Sequence, residues 1–238
     1  MDAGIPGTLG RKAQWETSFR PHLSPLLLIF DLDGTLIDSR LDLAHAVNAT
    51  RRHTGRPDLD HPTIFSYVGN GAPVLVRRSL GPEAPQEEVD AALAFFLDYY
   101  RHHAVDYTEL YPGVRESLQQ LGDSGAKLAI LTNKPVGISR LILDHFELSA
   151  SLFRIYGGNS FEQKKPDPIG IHTLLDESGT SRENTWMIGD SSVDIETARN
   201  AGVASCGITW GFQPESLQLV PPDVLVDRLD QFVEYLKR

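Results

Sequence analysis

Residues 26–39 read LLLIFDLDGTLIDS: an unbroken apolar run, Leu26–Phe30, that stops at two aspartates, Asp31 and Asp33, with one leucine between them. A short run without polar alternation suits a strand covered on both faces, as in the middle of a parallel sheet. Two carboxylates side by side at the end of such a strand repel each other, so they need an opposite charge or a chemical task to explain them. Gly34 lets the backbone turn tightly just after the pair, and Thr35 can fasten that turn.

The same pattern recurs downstream. KLAILTN (127–133) and NTWMIGDSS (184–192) are again apolar runs with polar groups at their C-terminal ends, and VASCGITW (203–210) and DVLVD (223–227) are weaker copies. Helix-like segments separate them: VRESLQQLGDSG, PVGISRLILDHFEL, IGIHTLLDESG and VDIETARNAG, several closed by the glycine expected of a helix C-cap. Strand and helix alternating at this spacing predict an α/β fold, a mainly parallel sheet with helices on both faces.

The alternation fails between residues 39 and 107. LDLAHAVNATRRHTG (41–55) and APVLVRRSLG (72–81) read as helices ended by Gly55 and Gly81. QEEVDAALAFFLDYYRHHAV (86–105) places Val89, Ala92, Leu93, Phe96, Leu97 and Tyr100 on one face of a longer helix. We therefore expect a small all-helical domain, residues 39–107, inserted into a core of residues 26–38 and 108–238, with hinges near 38–41 and 107–112. Residues 1–25 are rich in glycine, proline and polar groups and lack the apolar centre of a secretory signal, and they read as a loose extension.

Composition narrows the function. With 22 Lys and Arg against 32 Asp and Glu the formal charge is −10, and no basic stripe interrupts it, which argues against nucleic acid as a partner. No apolar run approaches the roughly 20 residues that cross a bilayer, so no membrane partner is expected. The single cysteine, Cys206, rules out an internal disulfide and reads as a buried structural thiol, which suits a reducing cytoplasm. His45, His53, His61 and His145 form no metal-ligand spacing, and Phe95, Phe96, Tyr99 and Tyr100 read as helix packing. An acidic chain can still take a small anion where a metal or local cations neutralise the pocket.

Open parallel sheets bind ligands beyond the carboxyl ends of their strands. There the first strand delivers Asp31 and Asp33, the next Thr132 and Asn133, and a later one Asp190, followed by Ser191 and Asp194; Lys165 arrives on the loop KKPDP. Mg²⁺ takes hard oxygen ligands and is commonly held by one or two carboxylates with substrate phosphate. Asp31 and Asp190 are the natural pair, with the backbone carbonyl of Asp33 as a further ligand. Asp31 is then placed to attack phosphorus, and Asp33 to protonate the leaving alcohol and later activate water. Gly34, Thr132, Asn133 and Lys165 would hold the phosphoryl group, with charge from Lys165 where charge develops. Thr35, Ser191 and Asp194 would support the site.

These segments resemble the haloacid-dehalogenase superfamily of phosphohydrolases. FDLDGTLIDS (30–39) is similar to its first motif, LTNK (131–134) to the second, KKPDP (164–168) to the third, and GDSSVDIETARNAG (189–202) to the fourth. The resemblance covers roughly residues 26–236. It implies a Rossmann-like three-layer core with a mobile helical cap, Mg²⁺ as cofactor, Asp31 as nucleophile, Asp33 as acid/base, Thr132 and Lys165 as phosphate-binding residues, and Asp190 and Asp194 at the metal.

YVGNGAPVLVRRSLG (67–81), LYPGV (110–114), LAILTNKP (128–135) and YGGNSFEQKKPDP (156–168) further resemble the bacterial phosphoglycolate phosphatases of that superfamily, with Asn159 where their third region commonly has aspartate. That resemblance implies 2-phosphoglycolate, a small phosphorylated metabolite carrying a carboxylate, and a cap residue that recognises it. Asn70, Gly71 and Arg77 are the candidates. Phosphatases of other monoesters, nucleotides or pyrophosphate remain alternatives, as does a sugar phosphomutase with nearly the same core residues; a binding protein without catalysis would not need both Asp31 and Asp33. Residues 40–107 contain no lysine, which excludes the Schiff-base chemistry of a phosphonate hydrolase. A monomer and a homodimer fit equally.

Overall fold

The computed structural model describes residues 26–238, so the extension read for residues 1–25 lies outside the described residues. Strand β1 (Leu27–Phe30) runs into a turn and a short strand β2 (Ile37–Asp38). Four helices follow: α1 (Arg40–His53), α2 (His61–Phe65), α3 (Ala72–Leu80) and α4 (Gln86–His102). The chain returns through β3 (Glu109–Leu110) and then alternates: α5 (Val114–Asp123), β4 (Lys127–Leu131), α6 (Val136–His145), β5 (Arg154–Tyr156) and α7 (Ile169–Ser178). It finishes with β6 (Thr185–Gly189), α8 (Ser192–Ala201), β7 (Ala204–Ile208), β8 (Val224–Val226) and α9 (Leu229–Leu236).

The main sheet has the order β5-β4-β1-β6-β7-β8, and every pair in it is parallel. The α/β fold expected from the alternating runs is the observed one. β1 lies between β4 and β6, and all its residues are fully buried, as an apolar run with no polar alternation requires. Its side chains divide by parity. Leu28 and Phe30 join the large cluster on one face, while Leu27 and Ile29 pack with Ile171, Leu174, Ala198 and Ala201 from α7 and α8 on the other. β5 is a strand that the hydrophobic pattern missed: of its three residues only Ile155 is buried.

Register sets the site. Phe30 pairs with Ile130 on one side and Ile188 on the other, so the residues just past β1, β4 and β6 emerge together at one end of the sheet. The Asp31 amide continues the ladder by donating to the Ile188 carbonyl at 2.9 Å. From β1 the chain builds the sheet outward through β4 and β5, then crosses back to begin β6 on the opposite side. That reversal is where open α/β sheets leave a crevice.

The helices α1–α4 stand between β2 and β3, which pair with each other as an antiparallel ribbon, Ile37 opposite Leu110 and Asp38 opposite Glu109. On α4, Val89, Ala92, Phe96 and Tyr100 are buried, and Leu93 and Leu97 sit half-buried at the flank of the stripe. One continuous apolar cluster runs from Phe30 through Leu36 and Ile138 to Leu43, Val47, Leu75 and Phe96, joining these helices to the sheet. Asp42, in the first turn of α1, is buried and ties the ends of the helical segment together. Its oxygens accept from the Tyr107 amide (3.1 Å), the Thr108 amide (2.8 Å) and the Thr108 hydroxyl (2.7 Å).

Candidate active site

Asp31, Asp33, Thr132, Asn133, Lys165, Asp190, Ser191 and Asp194 all line one cleft at the carboxyl end of the sheet. Lys165 is buried with its ammonium 2.6 Å from Asp194 Oδ1 and 2.9 Å from Asp31 Oδ1. Asp31 Oδ1 is thus buried and ion-paired to that ammonium. Burial pushes the Asp31 carboxyl up to about 6; Lys165 opposes that rise and the Asp194 charge adds to it.

Asp194 is fully buried. Its Oδ2 accepts from the Ser191 amide (3.2 Å) and hydroxyl (2.8 Å), the reciprocal arrangement of a helix N-terminus, which leaves Oδ1 for Lys165. Asp190 is held from two sides. Its Oδ2 accepts from the amides of Phe212 (2.6 Å) and Gln213 (3.4 Å), and the Thr35 hydroxyl lies 3.5 Å from Oδ1. Two glycines make room for it. Gly34 turns with φ +82°, and a Cβ there would meet Asp190 Oδ2 at 2.5 Å; a Cβ on Gly211 would meet Asp190 Cβ at 2.1 Å. Burial and then the charges of Asp194 and Asp31 push the Asp190 carboxyl well above the usual range.

One oxygen from each of Asp31, Asp190 and Asp194 lies within 4.8 Å of the others. Three carboxylates gathered in one cleft, with burial and mutual repulsion driving Asp31 and Asp190 toward protonation, are what a hard divalent cation relieves, so these residues fit Mg²⁺.

On the other side of the cleft, Asp33 is bound by Lys134, whose ammonium donates to both carboxylate oxygens (2.8 and 3.0 Å) and to the Tyr100 hydroxyl (2.6 Å). The Ser39 hydroxyl also donates to Asp33. Burial works against the Lys134 ammonium, but Asp33 and Tyr100 outweigh it and its pKa rises to about 12. The helices close over this arrangement. Gln213 Nε2 donates to the Val68 carbonyl (2.6 Å), Asn133 Nδ2 to the Gly69 carbonyl (3.2 Å), and Lys164 Nζ to the Asn70 carbonyl (2.6 Å). The Asn133 side chain therefore joins the loops, donating also to the Lys165 carbonyl at 3.2 Å, rather than pointing its amide nitrogen at a substrate.

The residues expected to set specificity are placed differently from that expectation. Gly71 lines the cleft, whereas Asn70 offers only its carbonyl, to Lys164, and is not among the lining residues. Arg77 is turned away altogether. Its guanidinium donates to the Ala84 carbonyl (2.6 Å) and to Gln86 Oε1, fastening the loop between α3 and α4. The physical reason is helical phase: Val76 faces the core and Arg77 follows it about 100° around the helix.

Lys134 and Tyr100 also line the cleft, and the motifs assign neither of them a role. Tyr100 shares the apolar stripe of α4, and its one distinguishing signal is a hydroxyl on an otherwise apolar face. Lys134 was visible in LTNK, a lysine directly after two strand-end polar residues. The Phe212 and Gln213 amides had only the aromatic–glycine spelling WGF (210–212) to mark them.

Residues 28–208 match the family model described as haloacid dehalogenase-like hydrolase. A phosphoglycolate phosphatase of Pseudomonas syringae pv. tomato is 40% identical over 194 residues, 79% of this chain and 71% of that protein. One from Vibrio vulnificus is 37% identical over 215 residues, 87% of this chain and 94% of the relative. The crystal structure of a "predicted phosphoglycolate phosphatase" from Haemophilus somnus superposes with a TM-score of 0.84 at 30% identity, covering 89% of this chain and 98% of that one. With its aspartates, lysines and sheet in the arrangement described above, the chain belongs to the haloacid dehalogenase-like hydrolase family and is a phosphatase within it.

Proposed function

We propose that this phosphatase is Mg²⁺-dependent and hydrolyses 2-phosphoglycolate to glycolate and phosphate, working in the cytoplasm. The observation that carries the reaction is the buried Asp31, with the Lys165 ammonium 2.9 Å away and the held carboxylate of Asp33 two residues on. The substrate rests on the relatives' activity and on the closed, largely apolar roof of the cleft, which favours a small ester.

In this reading residues 26–38 and 108–238 are the catalytic core and residues 39–107 the cap. A carboxylate oxygen of Asp31 attacks phosphorus; an acyl-phosphate bond forms as the bond to the alcohol oxygen breaks, and Asp33 gives that oxygen its proton. Asp33 then takes a proton from water, the water oxygen attacks phosphorus, and the Asp31 carboxylate is regenerated. The Thr132 hydroxyl and the amides that follow it bind phosphoryl oxygens, and Lys165 stabilises the negative charge that grows on them. Asp194 positions Lys165, and Ser39 and Lys134 fix the orientation of Asp33. Asp31, Asp190 and the Asp33 carbonyl, with Asp194 behind them, would hold Mg²⁺, which would supply positive charge where a phosphate dianion meets a carboxylate.

The test is a turnover panel at fixed Mg²⁺ comparing 2-phosphoglycolate, pyrophosphate, nucleoside monophosphates, sugar phosphates and an aryl phosphate by kcat/KM. Phosphoglycolate is expected first. A nucleotide or pyrophosphate ahead of it by tenfold would remove the substrate assignment and leave the phosphatase chemistry standing.

A further inference from the structure

The roof of the cleft is made by Leu43, Val68, Gly69, Gly71, Ala72, Leu75, Phe96 and Tyr100, and the only polar side-chain atom among these is the Tyr100 hydroxyl. The cations among the lining residues are Lys165 and Lys134. Lys165 is already shared between Asp31 and Asp194 on the phosphoryl side. Lys134 is on the other side, buried, with Asp33 below it and the Tyr100 ring and hydroxyl above it.

We propose that Lys134 and the Tyr100 hydroxyl form the subsite for the substrate's second anionic group, a carboxylate one carbon beyond the ester oxygen. This rests on the phosphoglycolate reading and deepens it. Asp33, as the acid, touches the ester oxygen of the leaving group. In phosphoglycolate the carboxylate hangs on the single methylene attached to that oxygen, so it must lie within a few ångströms of Asp33 on the side away from phosphorus. The group 2.8 Å from Asp33 and facing the cleft is the Lys134 ammonium.

An ammonium has three donor hydrogens. Two of them go to the Asp33 oxygens and one to the Tyr100 hydroxyl, so a substrate carboxylate arriving beside Asp33 must take over the hydrogen on the longer, 3.0 Å contact; the cation it meets is already desolvated and held, which makes the charge-assisted contact strong. The Tyr100 hydroxyl can turn its hydrogen to the same carboxylate. Since Tyr100 is carried on α4, the arrangement also couples recognition to closure: the subsite is complete only while the helices sit over the sheet. A neutral alcohol or an aryl ring in the same place forgoes the charge pairing and gains less from either group.

The experiment compares 2-phosphoglycolate with 2-hydroxyethyl phosphate, which replaces the carboxylate by a hydroxymethyl group, in the wild type, Lys134→Gln and Tyr100→Phe at saturating Mg²⁺. Removing Lys134 slows both substrates, because Asp33 loses its partner. Its preference for phosphoglycolate should nevertheless fall a further ~10²-fold, the size of a lost charge-assisted contact. Tyr100→Phe keeps the packing of α4 and should lower the preference by roughly threefold to tenfold, the size of a lost neutral hydrogen bond. It carries the test if Lys134→Gln does not fold. A wild-type preference that survives unchanged in both variants overturns the subsite and leaves the substrate assignment intact. A wild type without any preference for phosphoglycolate overturns both.

Discussion

Asp31 and Asp33 are separated by one residue, and the structure treats them oppositely. Asp31 is buried with one oxygen against Lys165, which it shares with Asp194, while both oxygens of Asp33 are held by Lys134. In the proposed reaction Asp33 passes a proton, and a group with that task should be fixed in direction as Asp33 is. Asp31→Asn keeps the shape and removes the proposed nucleophile, so turnover is expected to fall to background while thermal unfolding is little changed. Acid quenching of the wild type during turnover should trap phosphate on Asp31; finding it on a serine or histidine would sink the assignment. Gly34 offers a subtler check. Gly34→Ala places a methyl group 2.5 Å from Asp190 Oδ2 at φ +82°, so Asp190 must move. We expect kcat/KM to drop more than about tenfold, as for a misplaced catalytic group, with a higher Mg²⁺ concentration needed for half-maximal rate. Unchanged Mg²⁺ dependence would show that Asp190 does not hold the ion.

Among the elements, β1 is the one most directly written in the sequence, because a strand buried on both faces needs an uninterrupted apolar run and Leu26–Phe30 is one. The helices α1, α3 and α4 were legible from their stripes and closing residues. β5 was not, since a three-residue edge strand with an exposed arginine carries almost no hydrophobic signal. Nor was α2, five residues begun by an Asp60 cap and too short to show a period. Arg77 was misread because a helix puts adjacent residues on different faces, and a motif spelling does not say which face closes on the site. Tyr100 was read as packing, which it is; its hydroxyl's partner, 34 positions away in the chain, depends on how α4 docks. The clearest element-level prediction concerns α1. Asp42→Asn removes a buried acceptor facing the Tyr107 and Thr108 amides, and should cost about 1–3 kcal/mol in denaturant unfolding. If stability is unaffected, Asp42 does not hold the helical segment in place.

Over the whole molecule, the chain brings four acidic side chains, Asp31, Asp33, Asp190 and Asp194, into a cleft with two lysines on it, in a protein of net charge −10. Such a cleft should repel a phosphorylated acid unless a divalent ion shifts the balance. Exhaustive chelation should therefore abolish turnover, and added Mg²⁺ should restore it; it should also raise the unfolding temperature, because an ion bound by the native state alone stabilises it. Full activity after chelation would end the metal reading. None of the described helices is long and apolar enough to cross a membrane. The paired strands β2 and β3 carry a separate implication. The chain leaves the sheet for the helices and comes back along neighbouring strands, Asp38 beside Glu109, with Cα atoms about 5 Å apart in such pairs. A segment whose two ends already meet can be traded as a cassette for another that covers the same apolar face, because the two splice points, Asp38 and Glu109, lie side by side. The helical segment's share of substrate preference, the Tyr100 hydroxyl included, could thus be transplanted between related chains through two adjacent splices, while Lys134 and the residues that handle phosphorus stay with the sheet.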